Sequence, residues 1–453
     1  MTLSNLTPET APSTAVLTTP LVEQAFNWRH CWYPVAFLQD LPEDQPYGFS
    51  VYDEPFVLFR SQDEKLACLS DRCPHRAARL SDGQIIDGAI ECLYHGWQFG
   101  ADGQCVHIPQ LEASAKLPTN ACAPSFVVAQ NQGLVWVWLG EAEAADLDSI
   151  PTLPDLNKPG FVHSDCVVDL PYDQTYLVEN VMDPAHVSIS HHGVKGGGDR
   201  KNAQPLEMEV IENSVQGIRG RWRGANKPNG TWRDVAWFAP NLVLHTASLG
   251  DRGWTFGLAL YTLPLGKGRC RIFSRGYRNF MRWGLRLKPR WLDHLNTNKI
   301  LEQDLPLIVG QQAQIEQLGQ SLEQLYLPLK TSDIFVIEYR KWLDKFGSSL
   351  PFYEGYSSSV RTQVNEESNH CQTLLDRFSR HTQICSSCSR AYRSTIRLKQ
   401  TLAATAIGLA AVAIVTDGSI TEIVALSASL SAAAIAAVVG KFQTHFINSY
   451  TRH

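Results

Sequence analysis

Two short segments constrain this chain more than any others: Cys73-Pro-His75 and, sixteen residues further on, Cys92-Leu-Tyr-His95. Each offers one thiol and one imidazole, and the four groups meet at one centre only if the segments form paired loops at neighbouring hairpin tips. The intervening residues allow this. Asp82-Gly83 and Asp87-Gly88 mark turns, and Ile85, Ile86 and Ile90 let a strand leave and return. Pro74 stiffens the first loop, and Gly96 lets the backbone after His95 pass close to a bound group. The flanking runs FVLFR, LACLS and LVWVWLG, punctuated by Gly, Pro and Asp, extend the reading to an antiparallel β domain over residues 28–145.

Two thiolates and two imidazoles suit a tetrahedral zinc ion. They equally suit a two-iron two-sulfur cluster in which one iron takes both thiolates and the other both imidazoles. Zinc motifs usually keep like ligands together, whereas here each loop carries one Cys and one His, so the mixed pairing favours the cluster.

A second pattern follows at Asp183-Pro-Ala-His186 and His191. Two His and one carboxylate on one face of a non-heme Fe(II) leave the opposite positions free for dioxygen and substrate. The five-residue spacing of His186 and His191 departs from the i, i+4 geometry of a helix face, so a helix must end or unwind near Ser188–Ser190. His192 competes as a ligand on geometry alone. Asp183, before Pro184, reads either as a carboxylate orienting an imidazole or as a helix cap.

The string CPHRAARLSDG…ECLYHGWQF resembles the Rieske non-heme iron oxygenases, and ENVMDPAHVSISHHG (179–193) resembles their pheophorbide a oxygenase-like branch. The resemblance implies a [2Fe-2S] Rieske cluster on Cys73, His75, Cys92 and His95, and a mononuclear non-heme Fe(II) on His186, His191 and a late helical acid. Asp304, in LEQDLPLI, matches that acid, with Glu302 as the alternative. It further implies that Asp183 bridges the iron-ligand His to a cluster ligand of a neighbouring subunit in a homotrimer, with Asn180 near the metal. The implied activity is monooxygenation of a chlorophyll-derived tetrapyrrole by O2, with electrons from a ferredoxin-like donor. A membrane-bound Rieske redox carrier or thiol-regulated sensor is the alternative, and it needs no second iron.

With 453 residues the chain has room for two to three domains, and a net charge of −5 with a pI near 6.3 gives no basic footprint for nucleic acid. Eleven Cys beside a thiolate-bound cluster point to a reducing compartment rather than a disulfide scaffold, with Cys31, Cys68, Cys105, Cys122, Cys166 and Cys270 read as core residues. Residues 1–27, rich in Thr, Ser and Pro without Lys or Arg, are expected to form a flexible extension and make a poor transit peptide, which with the resemblance points to a cyanobacterial source. The acidic stretch EAEAADLDSIPTLPDL is expected as a linker into an α+β catalytic domain, 146–370, of helix-grip type. Long alternating segments at 205–223, 231–248 and 254–280 precede a helical pattern at 291–325. Trp232, Trp237 and Phe238 are candidates to line its pocket for a flat substrate.

In a connector at 371–399, Cys385-Ser-Ser-Cys388 permits a dithiol switch, or half of a zinc site with His381 and Cys371. The surrounding LLDRFSRHTQICSSCSRAYR also resembles the C-terminal segment of the pheophorbide a oxygenase-like branch. Residues 400–416 and 423–440 lack charge, and at about 1.5 Å per residue they reach roughly 25 and 27 Å, close to the ~30 Å of bilayer hydrocarbon. A transmembrane helical hairpin over 400–441 is therefore expected in a thylakoid or plasma membrane, followed by a tail at 442–453. Arg390, Arg393, Arg397, Lys399 and Lys441 flank the spans and only acids occupy the loop, which puts the catalytic domain on the cytoplasmic side. Cutting after Arg397 is expected to leave a soluble body with both iron centres.

Overall fold

The computed structural model describes residues 26–112, 114–226, 230–359, 376–416, 418 and 420–450. The expected extension, apart from Phe26 and Asn27, lies outside them, as does Cys371. The N-terminal half is two antiparallel sheets. Strands β1 (Trp32–Phe37), β2 (Tyr47–Val51), β3 (Glu54–Arg60) and β4 (Leu66–Ser70) precede the short β5 (Gln84–Ile86), β6 (Ala89–Glu91), β7 (Gln98–Phe99) and β8 (Cys105–His107). Then come β9 (Ser125–Asn131) and β10 (Leu134–Trp138). The six-stranded sheet runs β1-β10-β9-β4-β3-β2 and the smaller sheet β5-β6-β7-β8. Buried Val57, Phe59, Leu69, Leu80, Ile90 and Phe99 form a separate core that fastens the small sheet to the large one. The Cys73 and Cys92 loops stand on that core.

The expected linker is not loose. Its three short 3-10 turns pack down through Leu153, 0% exposed, and Trp32 donates its indole N–H to Asp146 O at 2.8 Å. Beyond it, β11 (Val162–Leu170) leads into helices α1 (Gln174–Met182) and α2 (Val187–Ser190). Three hairpins follow: β12 (Leu206–Ser214) with β13 (Gly217–Gly224), β14 (Arg233–Phe238) with β15 (Leu242–Leu249), and β16 (Trp254–Gly266) with β17 (Arg269–Arg278). Together they make a seven-stranded antiparallel sheet, β11-β17-β16-β15-β14-β13-β12. On the solvated face of β12 and β13, Glu207–Arg223, Glu209–Arg221 and Glu212–Arg219 are register partners and ion pairs, so opposite charges pin the register as the alternating pattern requires. Helix α3 (Arg290–Leu318) packs on β11 and α1, and α4 (Ile334–Phe346) covers β12 and β13.

Arg275 joins the two halves. Its guanidinium grips Asp165 of β11 at 2.7 and 2.9 Å and donates to Gln132 O, in the β9–β10 turn, at 2.6 Å. Both side chains are nearly solvent-free, so the charges are worth their desolvation only as a pair.

The chain ends in two long helices, α5 (Ser386–Val415) and α6 (Ile420–Gln443), packed side by side. Their facing positions are small: Ala406, Ala413, Ala425, Ser429, Ala432 and Ala436 are buried, and Ser429 Oγ donates to Ala406 O at 2.7 Å. Their large apolar side chains point outward, with Ile407 73% and Ile414 86% exposed. This inverts the pattern of a soluble helix pair and excludes burial of the pair in the body's core.

After α6 the chain returns to the body. Phe446, 1% exposed, packs against Trp291 and Tyr392, and Thr382 Oγ1 donates to its carbonyl at 2.6 Å. Tyr450 N–H reaches the carboxylate of Glu302. Residues 442–450 thus pack on the folded body, contacts that the expected cut after Arg397 would remove.

Candidate functional site

The four residues of the first motif converge. A tight turn closes each loop: Cys73 N–H donates to Ala78 O and Ala77 N–H to Cys73 O, while Cys92 N–H donates to Trp97 O and Gly96 N–H to Cys92 O. Gly96, at φ +74°, takes the left-handed conformation this turn needs, under the ring of Pro109. Cys73 and Cys92 are each 2% exposed, and the rings of His75 and His95 lie 4.4 Å apart. Trp97 stacks flat on His75 at 4.6 Å and fixes its plane. His75 Nδ1 is buried with no hydrogen-bond partner, an orphaned lone pair or proton that a metal ligand would not leave unsatisfied. Burial, reinforced by the neighbouring Cys92, pushes the Cys73 thiol up to about 11, so binding a metal must displace a proton here. These residues fit a thiolate- and imidazole-bound cluster. The loop tip faces outward, with Leu93 and Tyr94 59% and 63% exposed.

The second site is assembled from three elements. Helix α1 ends where Asp183 turns extended before Pro184. The four-residue α2 then runs between His186 at its start and His191 at its end, so the five-residue spacing is one helical turn plus its two flanks. Helix α3 brings Asp304 to the pair. His191 Nε2 lies 3.2 Å and His186 Nε2 3.6 Å from Asp304 Oδ2, and the ligand atoms of all three fall within 4.8 Å of one another. The outer nitrogens face oxygens: His191 Nδ1 meets Gln303 Oε1 at 3.2 Å, and His186 Nδ1 stands 3.4 Å from Asp183 Oδ2. That leaves both Nε2 atoms aimed at the carboxylate, the arrangement in which outer partners orient metal-binding imidazoles. Burial would lower His186 and raise Asp304, but Asp183 beside the one and the two histidines beside the other reverse both directions.

Sequence alternatives separate here. His192 is exposed and accepts Arg200 N–H at 3.2 Å, away from the carboxylate. Glu302 points to the far side of α3, where Arg377 Nε donates to it at 2.7 Å within a buried pair. Asn180 Nδ2 is 3.5 Å from Asp304 Oδ2. Asp183 faces His186 through one oxygen, while its other accepts Ala185 N–H at 2.6 Å in a tight turn ahead of α2, whose N-cap is His186 rather than Asp183.

A cavity of about 410 Å³ opens on the triad between the sheet and helices α1–α3. Its walls are mostly apolar: Trp222, Phe256, Leu258, Leu260 and Leu301. A second hollow of about 640 Å³ shares Trp222, Arg233, Ala247 and Leu249 with it. The expected aromatics are displaced from this role. Trp237 is core, edge-on to Tyr339 and Trp342; Trp232 lies under Arg221 and Arg223; and none of Trp232, Trp237 and Phe238 lines the cavity. Sequence reading missed His245, which lines the cavity and bonds Val181 O through Nε2 at 2.7 Å, because a lone His in a strand carries no spacing signal.

Cys385 and Cys388 are also brought together with His381, but the further neighbour is His294 of α3, which no motif flagged. Of the cysteines read as core, Cys122 is instead exposed and Cys31 half-buried.

Comparison with known proteins identifies the family. The Rieske [2Fe-2S] domain family matches residues 31–124 and the family described as pheophorbide a oxygenase matches residues 237–321. The chain is 37% identical to Arabidopsis thaliana "Protein TIC 55, chloroplastic", over 86% of this chain and 77% of that one. It is 33% identical to "Pheophorbide a oxygenase, chloroplastic" of the same plant, over 93% and 83%. Among solved structures, dicamba monooxygenase bound to dicamba superposes with a TM-score of 0.58 at 25% identity, covering 70% of this chain and 97% of the other. The chain belongs to the Rieske oxygenases, a family of oxidoreductases, in the branch that holds TIC 55 and pheophorbide a oxygenase.

Proposed function

We propose that this protein is a membrane-anchored Rieske monooxygenase that inserts oxygen from O2 into a chlorophyll-derived tetrapyrrole, using electrons from a ferredoxin-like donor. The observation that carries the reading is the two-His-one-carboxylate set of His186, His191 and Asp304 on the wall of a large apolar cavity. A redox carrier has no use for such a set.

When bound, a cluster on Cys73, His75, Cys92 and His95 supplies single electrons, and an iron on His186, His191 and Asp304 supplies the site of dioxygen reduction. The remaining roles fall to the chain's own side chains. Gln303 and Asp183 hold the two imidazoles with Nε2 inward, and Asn180 holds the Asp304 carboxylate. Trp222, Phe256, Leu258 and Leu260 exclude water from the cavity and offer flat apolar contact to a macrocycle. The adjoining hollow extends the space beyond a single-ring substrate. The outward-facing cluster tip suits a homotrimer in which Asp183 receives an electron route from a neighbour's His, and suits docking of the donor. The relatives named for pheophorbide a and chlorophyllide a support the substrate class. The outward apolar faces of α5 and α6 support insertion into a membrane, with the basic residues 390–399 and Lys441 on one side of it, the cytoplasmic side.

The test is product mass under 18O2 with ferredoxin, its reductase and a panel of pheophorbide a, chlorophyllide a and protochlorophyllide. One panel member should gain labelled oxygen. If every panel member is recovered unlabelled while the cluster turns over with the donor, the tetrapyrrole assignment fails.

A further inference from the structure

A second set of four ligating side chains lies where β11, α3 and the C-terminal segment meet, apart from the cluster loops and the triad. We propose that His294, His381, Cys385 and Cys388 bind one structural zinc ion that fastens the C-terminal hairpin to the catalytic domain. All four side chains are essentially solvent-free, at 0, 1, 0 and 1% exposure, and their ligand atoms fall within 4.8 Å of one another.

The orientation of the imidazoles is the strongest observation. His294 Nε2 lies 2.6 Å from Asp165 O and His381 Nδ1 2.6 Å from Val167 O. A carbonyl oxygen only accepts, so both of those nitrogens carry the proton. His294 Nδ1 and His381 Nε2 are therefore bare lone pairs, and both face the sulfurs. His294 Nδ1 is 3.5 Å from Cys385 Sγ and 3.4 Å from Cys388 Sγ, and His381 Nε2 is 3.2 Å from Cys388 Sγ. A tetrahedron with Zn–S of about 2.3 Å and Zn–N of about 2.0–2.1 Å has N···S edges of roughly 3.5 Å, so these separations are those of ligands around one ion. They are too short to spread over a two-iron cluster. Fixing a ligand imidazole through its outer nitrogen to a backbone carbonyl is the usual second-shell device of metal sites, and here one strand supplies both carbonyls.

Four protein ligands leave no open position, which marks a structural ion rather than a catalytic one. Loading is an exchange without electron transfer: two thiol protons leave to solvent and the resulting thiolates balance the dication's charge. Arg290, itself paired with Asp40, donates to Cys385 Sγ at 3.1 Å and stabilises that thiolate. The loop is built to hold the pair: Cys385 N–H bonds His381 O and Ser389 N–H bonds Cys385 O, while Ser386 and Ser387 tie the segment to Asp40 and Trp291. A sensor dithiol needs access to oxidant or partner thiol, and these two sulfurs have none.

The test uses the full-length protein purified in detergent without chelators. Metal analysis should find one equivalent of zinc beside a full-strength Rieske signal, and zinc absorption spectra should give two sulfur and two nitrogen ligands. Cys388→Ser should lose the zinc while keeping the Rieske signal; Cys73→Ser should do the reverse. Zinc that follows Cys73 rather than Cys388 belongs to the cluster loops and overturns the proposal. So does wild-type protein without zinc whose Cys385 and Cys388 prove, by mass spectrometry, to be free thiols or a mutual disulfide. Should Cys388→Ser fail to fold, wild-type zinc content and ligand number, measured against the Rieske signal, decide the matter alone.

Discussion

Glu302, Gln303 and Asp304 are consecutive on α3 and do three different things. Glu302 pairs with Arg377, Gln303 holds His191 Nδ1, and Asp304 faces both Nε2 atoms. Asp304→Ala should therefore lose the mononuclear iron and all oxygenation while the Rieske signal survives, as should His186→Ala and His191→Ala; iron content and the reduced-cluster spectrum check this. Glu302→Gln should keep the iron and instead lower the apparent Tm by several degrees, because it weakens a buried pair worth about 3–5 kcal/mol when broken. Asp183→Asn should leave both iron centres in place and slow oxidation of the reduced cluster in stopped flow, the charge beside His186 being lost while the shape is kept. That Cys73, His75, Cys92 and His95 would meet was legible because mixed Cys/His loops are rare patterns with a chemical reason. Asp304 was legible only through resemblance, since nothing in local spacing ties an acid on one helix to a His pair far earlier in the chain. His294 and Gln303 were not legible at all, as tertiary packing alone gives them partners.

At the scale of elements, the hairpins and the long helices follow from periodicity and turn residues, whereas how the segment between the two domains packs does not. The acidic stretch after β10 looked like a linker by composition, yet Trp32, Ile150 and Leu153 anchor it, because a few apolar residues in a polar run suffice when a groove receives them. The tie between β11 and β17 gives a pH prediction. The guanidinium of Arg275, with a smaller part from His163, outweighs burial and holds Asp165 down at about 2. A depressed carboxylate stabilises the fold above its unfolded value of about 3.9, and that contribution disappears as pH falls through about 2. Arg275→Met should forfeit it at neutral pH, lowering the apparent Tm by several degrees, and should flatten the loss of stability between about pH 4 and pH 2. Differential scanning fluorimetry across that range reads both effects. In the α5–α6 pair, Ala432→Leu should separate the helices by overfilling a contact made of Ala and Ser, whereas Ile414→Leu, on the outward face, should change nothing measurable in detergent.

The whole molecule is a Rieske domain and a catalytic domain locked by Arg275, with a hairpin whose two ends both root in the body. Lys399 lies against Gly440 at the base of the hairpin, so its ends are adjacent. Replacing residues 400–440 with a short Gly-Ser loop should therefore give a detergent-free soluble protein with both iron centres, whereas cutting after Arg397 removes Phe446 and Tyr450 and should expose the core they cover. Size-exclusion elution and iron content distinguish the two variants. The central claim is that electrons stored in the cluster loops are spent on oxygen insertion at His186, His191 and Asp304. It is tested most directly by a single turnover: the anaerobically reduced protein, loaded with the tetrapyrrole that the 18O2 panel identifies, is mixed once with 18O2. The account predicts that cluster oxidation and labelled product rise together in the wild type, and that in Asp304→Ala no labelled product forms. Labelled product from Asp304→Ala at the wild-type yield, or cluster oxidation in the wild type with no product, would contradict it.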